Sequence, residues 1–206
     1  MKPFDPKHRT TAGGQITIAL YRIAQAIEYL LRERGKKMHL SPAQIQTLIF
    51  LKYARPGVRT VGGLAQRLGV TYATASGVAD ALENKRFIER VTLPGDQRVV
   101  TLRLTEAGTT QAEQLEDVLD VIESAVDGLP DADQSALLRA TQEIVIRLQQ
   151  SGYVRVYEMC WGCQFFQRDA HPDDPRGPHH CAFVDAPLAE PATYFECPDF
   201  ISSDQG

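Results

Sequence analysis

Apolar side chains recur every three or four positions along residues 15–34, QITIALYRIAQAIEYLLRER, which is the spacing of one face of an α-helix. This face is made of Ile16, Leu20, Ile23, Ile27, Leu30 and Leu31. Gly35 and the cations Lys36 and Lys37 predict that the helix stops there, since glycine tolerates the left-handed C-terminal position and positive charge suits that end of a helix. Ser41 and Pro42 then predict the start of a second helix, as N-cap and first helical residue.

A helix-turn-helix is predicted for residues 59–91, RTVGGLAQRLGVTYATASGVADALENKRFIERV. A short helix stops at Gly69, and Thr71 caps a second helix. The inward stripe of the second helix is Ala75, Val78 and Leu82, and its opposite face carries Tyr72, Thr74, Ser76 and Asp80. Polar side chains on that face suit a helix that reads base edges in the major groove of DNA. An ordinary surface helix of a bundle fits the same pattern.

The residues that follow predict two β-strands, 87–92 and 99–104, around a turn at Pro94, Gly95 and Asp96. A β-hairpin directly after a helix-turn-helix is a wing. Arg98 lies at its tip, where a guanidinium can enter a narrow, negative minor groove. Asp96 is placed to orient Arg98 or a neighbouring arginine, and it also suits the turn itself.

Together, LAQRLGVTYATASGVADALENKRFIER and GDQRVVTLRLTEAG make residues about 15–150 resemble a winged-helix regulator of the multiple-antibiotic-resistance regulator (MarR) family. Where that family usually has Asp-Arg-Arg in the wing, this chain has Asp96-Gln97-Arg98. The resemblance implies a homodimer with interleaved first and last helices, operator DNA as partner, and commonly repression relieved by a small effector. The residues expected to contact DNA are Thr71, Tyr72, Thr74, Ser76, Lys85, Arg86, Arg90, Asp96 and Arg98.

Two further helical patterns, one at 105–128 and one that Asp131 caps and that runs to about residue 150, support a helical dimerisation region. The first carries Leu115, Val118, Leu119, Ile122 and Val126, and the second Leu137, Leu138, Ile144, Ile146 and Leu148. A partner subunit or packing within the chain would bury these faces. The charge balance differs between the two halves of the chain: residues 1–103 hold 17 Lys and Arg against 7 Asp and Glu, and residues 104–206 hold 5 against 19. The basic half suits DNA.

Long helical periodicity ends after Gly152, and the sequence divides into a winged-helix and dimerisation domain, 1–150, and a cysteine-rich C-terminal module, 151–206. All four cysteines lie in the second part, as C-x2-C-x17-C-x15-C: Cys160, Cys163, Cys181 and Cys197. Four thiolates suit a closed tetrahedral zinc site, which would staple a module too small for its own core. An iron–sulfur cluster, a dithiol switch at CWGCQFF, or four free cysteines remain alternatives. His179 and His180 are reserve ligands.

The overall expectation is a mainly α protein: a winged helix-turn-helix with a helical dimerisation region and a small metal-stapled C-terminal module. No signal sequence or membrane span is recognised, which predicts a soluble cytoplasmic protein. No nucleophile elbow, phosphate-binding glycine loop or H-E-x-x-H motif is present, so a regulator is favoured over an enzyme. A protein-interaction adaptor is a third class that this pattern leaves open.

Overall fold

The computed structural model describes residues 4–5, 10–54, 56–93, 96–154, 159–193, 197, 200–201 and 203, with the backbone alone at 56, 93 and 96–99. The helices are α1 (Ala12–Met38), α2 (Pro42–Tyr53), α3 (Val61–Leu68), α4 (Tyr72–Asn84), α5 (Glu106–Glu113), α6 (Asp120–Asp127) and α7 (Asp131–Gln150). The strands are β1 (Ile88–Leu93), β2 (Asp96–Leu104), β3 (Phe166–Gln167), β4 (His179–Cys181) and β5 (Ala186–Leu188).

The first helix is longer than the sequence predicted. Thr11 caps α1 by accepting a hydrogen bond from the Gly14 N–H, and the left-handed residue that ends it is His39. Gly35 is therefore not the stop but a buried helical residue. A Cβ at position 35 would lie 2.2 Å from the Leu40 carbonyl oxygen, so glycine is required for the close approach of the chain leaving the helix.

The helix-turn-helix forms as predicted. The Ser41 hydroxyl and the Gln44 side chain make a reciprocal capping box that starts α2. Gly69 adopts the left-handed conformation that ends α3, and Thr71 caps α4 by accepting from the Thr74 N–H. Each boundary rests on contacts between residues at most four apart, which explains why the sequence pattern located it.

The wing is an antiparallel hairpin whose strands pair from Ile88 with Leu104 to Thr92 with Val100, with a register irregularity near the turn. A bridge between Thr60 and Thr101 and a hydrogen bond from the Leu102 N–H to the Arg59 carbonyl join the hairpin to the start of α3. The predicted turn at Pro94 and Gly95 lies outside the described residues.

A single hydrophobic core holds the winged-helix body together. Its most buried large side chains come from five different elements and the turn after α5: Ile45, Leu48, Leu51, Leu64, Leu82, Ile88, Leu102 and Leu115. The predicted inward stripe of α4 is confirmed, because Ala75 and Leu82 are fully buried and Val78 packs against the same core. This packing fixes the exposed face of α4 relative to the wing.

The predicted single helix over 105–128 is wrong. The chain forms α5, a 3-10 turn at Glu116–Leu119 and α6. The Arg34 guanidinium on α1 donates to the Gln114 carbonyl and to the Asp117 carboxylate, which satisfies backbone and side-chain groups at the break. Asp131 is also not a cap: it is the first residue of α7, after Pro130.

The break divides the apolar stripe that the sequence assigned to one helix. Leu115 and Val118 are buried in the core, whereas Leu119 is exposed. The chain beyond α7 contains only short elements, with β3, β4 and β5 in one antiparallel sheet, so the predicted loss of long helices is confirmed for the described part of the tail.

Candidate DNA interface and cysteine-bearing tail

The N-terminal turn of α4 presents polar side chains to solvent. Thr71 and Thr74 are exposed and hydrogen-bond each other through their hydroxyls at 2.9 Å. Tyr72 is 64% exposed, which is high for an aromatic ring, and Ser76 is half-buried one turn further on. Four of the residues predicted to contact DNA therefore lie together on the first turns of one helix.

The two cations that follow α4, Lys85 and Arg86, differ in whether their side chains bond to other parts of the fold. The Lys85 ammonium donates to the His39 carbonyl and, at 3.2 Å, to the Gln44 side chain, so it ties the end of α4 to the α1–α2 junction. Arg86 is exposed and holds a positive φ of 60° at the turn into β1. Of these two, Arg86 is the one without an internal hydrogen bond from its guanidinium among the described residues, and it is the more available for phosphate.

Arg90 is held between two carboxylates of α4. Its guanidinium pairs with Asp80 at 2.5 Å and with Glu83. Burial acts to lower the pKa of Arg90, but its hydrogen bonds and charge interactions with Asp80 and Glu83 outweigh burial and raise that pKa. The arginine thus braces β1 against α4, and a phosphate would have to compete with both carboxylates for it.

The wing residues Asp96 and Arg98 lie on β2, but their side chains are outside the described residues. At the other end of the hairpin, Arg103 donates to Glu89 across the strands at 2.8 Å. That ion pair joins the two strands at the base of the wing.

In the tail, Cys160 and Cys163 occupy a tight turn. The 3-10 turn Cys160–Gly162 is closed by a hydrogen bond of 2.9 Å from the Cys163 N–H to the Cys160 carbonyl. Cys181 pairs across the sheet with Phe166, three residues after Cys163. The Phe200 N–H bonds the Cys197 carbonyl at 3.3 Å. No disulfide joins the four cysteines.

The segment after Cys197 returns to the first cysteine turn. The Gln164 N–H donates to the Ile201 carbonyl at 2.9 Å, and the Ser203 hydroxyl donates to the Gly162 carbonyl at 3.3 Å. Backbone hydrogen bonds therefore bring the cysteine-bearing segments next to one another. Within the described ranges, however, no three His, Cys, Asp or Glu side chains are grouped as ligands of one metal ion.

The two reserve histidines have other partners. His179 is buried, its Nδ1 accepts from the Asp169 N–H at 3.1 Å, and its Nε2 lies 3.6 Å from the Glu190 carboxylate. His180 Nδ1 lies 3.1 Å from His171 Nε2. His171 and His180 thus form a histidine pair.

An attachment of the tail to α7 was not predicted. The Gln142 side-chain amide on α7 donates to the Thr193 hydroxyl at 2.8 Å, and both residues are buried. These residues are 51 positions apart, and a single glutamine or threonine carries no signal of such pairing in a sequence. Trp161, the only tryptophan of the chain, lies near this contact and was the one available hint.

Taken together, α3, α4 and the hairpin define a winged helix-turn-helix protein. Residues 40–99 match the model of the MarR family. The HTH-type transcriptional repressor MdtR of Bacillus subtilis (strain 168) is 32% identical over 100 residues, which make up 48% of this chain and 63% of MdtR. The aligned region thus spans less than two thirds of that relative.

Solved structures show the same fold at low identity. The transcriptional regulator PA3341 aligns with a TM-score of 0.58 at 23% identity, covering 66% of this chain and 98% of the other. The S. aureus MepR–DNA complex aligns with a TM-score of 0.57 at 20% identity, covering 64% and 97%. A MarR family regulator from Silicibacter pomeroyi aligns with a TM-score of 0.56 at 22% identity, covering 67% of this chain and 90% of the other. Among the described residues, no helix is long and apolar enough to cross a bilayer.

Proposed function

We propose that this chain is a dimeric, sequence-specific DNA-binding transcriptional regulator that acts as a repressor. The observation that carries the proposal is the polar, solvent-exposed first turn of α4 beside a two-stranded wing. The repressor MdtR, similar over 48% of this chain, and the fold of the MepR–DNA complex support it.

In this proposal α4 enters the major groove. Tyr72, Thr74 and Ser76 contact base edges or phosphates, Thr71 does so while it caps the helix, and Arg86 contacts the backbone. Lys85 and Arg90 contribute less, because both are engaged inside the fold. Arg98 enters the minor groove from the wing, with Asp96 as its orienting partner.

DNA binding is tested by selecting sequences from a random duplex library with the full-length protein and measuring affinity by fluorescence anisotropy at fixed salt. Tyr72→Ala is expected to lower the affinity for the selected site by roughly 10-fold, the typical effect of losing one base contact. Tyr153→Ala is the matched control, because Tyr153 is also exposed but lies beyond α7. Failure to select any sequence, or equal losses in both variants, would sink the proposal.

Dimerisation is proposed from exposed apolar side chains at both ends of the helical body. On α1, Ile16 and Ile23 are 52% and 46% exposed, and Leu137 and Leu148 on α7 are also exposed. Covering these faces with a second subunit would remove this apolar area from water. Sedimentation equilibrium should show a dimer, and Ile23→Glu should shift it towards monomer. A wild-type monomer at micromolar concentration contradicts this part.

For the tail we propose a four-cysteine zinc site, with an iron–sulfur cluster as the alternative that would make the regulator a redox or iron sensor. The support is the backbone pairing that places the segments bearing Cys160, Cys163, Cys181 and Cys197 together. Thiolates of this kind suit both zinc and iron–sulfur clusters.

Metal and acid-labile sulfide content of protein purified without oxygen decides between the two. One zinc per chain and no absorbance between about 300 and 500 nm supports a structural site, and iron with sulfide and a brown colour supports the cluster. The paired change Cys160→Ser and Cys163→Ser should abolish either. Metal-free wild-type protein would refute both versions and leave the DNA-binding proposal standing.

A further inference from the structure

The small sheet of the tail separates His180 from the cysteine next to it in the chain. Successive residues of a strand point to opposite faces of a sheet, and residues paired across strands share a face. Cys181 pairs with Phe166, and the Phe166 ring lies 5.2 Å from that of His179, so these three residues share one face. His180 pairs with Gln167 and is directed to the other face.

On that other face His180 meets the ring of His171. His171 Nε2 lies 3.1 Å from His180 Nδ1, and the two ring centres are 5.1 Å apart. The backbone of His171 is held in place, because its N–H donates to the Pro178 carbonyl at 2.8 Å and its carbonyl accepts from the Asp174 N–H at 3.0 Å. Neither histidine is fully buried, and the His180 side chain is 16% exposed. An ion in solution can therefore reach the pair.

The separation of the two facing nitrogens suits two bonds to one metal ion. Imidazole bonds of about 2.05 Å place two nitrogens about 2.9 Å apart at a bond angle of 90° and about 3.3 Å apart at the tetrahedral angle. The observed 3.1 Å lies between these values. Either geometry is thus reached by a movement of about 0.2 Å. A hydrogen bond between the rings has the same length, so the remaining nitrogen of His180 carries the next step.

That nitrogen faces a carboxylate. His180 Nε2 lies 3.5 Å from Asp185 Oδ1, in the turn between β4 and β5. A carboxylate favours the proton on Nε2, which leaves the lone pair of Nδ1 directed towards His171. Histidine ligands of metal ions almost always place their second ring N–H against a carboxylate, a carbonyl or water in this way.

The charge around the histidine pair favours a cation. Residues 168–185 hold four aspartates against two arginines. Asp174 interacts with His171 by charge, and Asp185 extends into solvent with 93% of its side chain exposed. A cation is therefore attracted to this face of the sheet, whereas an anion is repelled.

We propose that His171 and His180 bind one divalent transition-metal ion that prefers imidazole, such as Ni²⁺ or Zn²⁺. His171 binds through Nε2 and His180 through Nδ1, and water fills the other positions of the ion. The ion takes the place of the proton between the two facing nitrogens, and His171 carries its proton on Nδ1. This site goes beyond the proposed function and is separate from the four-cysteine site, since Cys181 lies on the opposite face of the sheet.

The test is equilibrium dialysis of the full-length protein against increasing Ni²⁺, with bound metal measured per chain. Wild type should show a binding step that His171→Gln loses or shows only at Ni²⁺ concentrations at least about 10-fold higher, since loss of an outer partner of a ligand already costs 10–100-fold in affinity. The comparison holds whether or not the cysteines carry a metal, and no DNA is present. Failure of this site is therefore distinguishable from failure of either proposed function.

His180→Gln should lose the same step. His39→Asn is the matched control and should keep it, because His39 is also an exposed histidine but ends α1 in a left-handed conformation that asparagine tolerates. An unchanged emission of Trp161, the only tryptophan, shows that a variant keeps the packing of the tail.

Three results would overturn the proposal: a wild-type Ni²⁺ step in His171→Gln, an equal loss in His39→Asn, or no such step in wild type. If a histidine variant changes the tryptophan emission, NMR of the wild-type protein decides. Paramagnetic Ni²⁺ should then broaden the ring signals of His171 and His180 before that of His39, and any other order refutes the site.

Discussion

Gly108 on α5 lies against the backbone of Phe87, the residue before β1. A Cβ at position 108 would lie 1.8 Å from the Phe87 carbonyl oxygen and 2.7 Å from the carbonyl carbon. The same carbonyl accepts a hydrogen bond of 3.0 Å from the Thr105 N–H. Because both partners are backbone, no side-chain rotation can relieve the overlap, and the segment itself must move.

Gly108→Ala should therefore destabilise the protein, although the same change in an ordinary helix interior stabilises by up to about 1 kcal/mol. To reach ordinary van der Waals contact the two segments must separate by about 1.5 Å. That displacement breaks the hydrogen bond from Thr105, worth about 1 kcal/mol, and strains the packed base of the wing by a further 1–3 kcal/mol, roughly. After subtracting the helix gain, a net loss of about 1–3 kcal/mol remains.

Urea unfolding of the full chain, followed by circular dichroism at one fixed protein concentration, measures this loss. Gly77→Ala is the matched control, because a Cβ on that α4 glycine meets no atom within 4 Å. The two midpoints should move in opposite directions, downward for Gly108→Ala and upward for Gly77→Ala. A midpoint for Gly108→Ala at or above wild type would refute the close-contact reasoning.

Three further changes probe the capping box, the tail attachment and one carboxylate. Ser41→Ala removes the cap of α2 and should cost about 1 kcal/mol in the same urea assay, whereas an unchanged midpoint would exclude a stabilising cap. Thr193→Val leaves the Gln142 amide buried without its acceptor and should speed amide hydrogen exchange in the tail, while unchanged exchange would mean that other contacts hold it. Asp174 has a pKa lowered to about 2, chiefly by its hydrogen bonds from Arg176, so its contribution to stability is complete above about pH 4 and is lost as pH falls towards 2. Arg176→Gln should return that pKa towards its ordinary value of 3.8 in an NMR titration, and no upward shift would contradict the assignment.

The start of a helix was predictable wherever a short polar side chain caps it. Ser41 caps α2 and Thr71 caps α4, and both helices begin where the sequence indicated. The alternation of apolar positions likewise located both strands of the wing. The errors arose where distant residues decide. Gly35 continues α1 because Leu40 folds back onto it, and the break after α5 is supported by Arg34, 80 residues earlier in the chain.

The tail was the least predictable part for the same reason. The spacing of its cysteines was visible in the sequence. Its attachment to α7, however, depends on a hydrogen bond between Gln142 and Thr193, and glutamine and threonine are common on any surface. Trp161 was recognised only as part of a cysteine-rich motif, and its buried N–H became evident only from the three-dimensional arrangement. Local patterns therefore identified the winged-helix body, and long-range polar contacts determined how the tail joins it.

Because α7 carries an apolar face as well as the glutamine that holds the tail, the attachment of the tail has a consequence for regulation. Leu137 and Leu148 leave apolar surface exposed for a second subunit, while Gln142 on the same helix holds the tail. If the helix takes part in a dimer, any ligand that strengthens the tail contact in one dimer geometry must favour that geometry by the same free energy, because binding linkage is reciprocal. In the proposed dimer, subunit geometry would set the spacing of the two α4 helices on DNA, so the tail contact and these helices would be coupled through α7 without any direct contact between them.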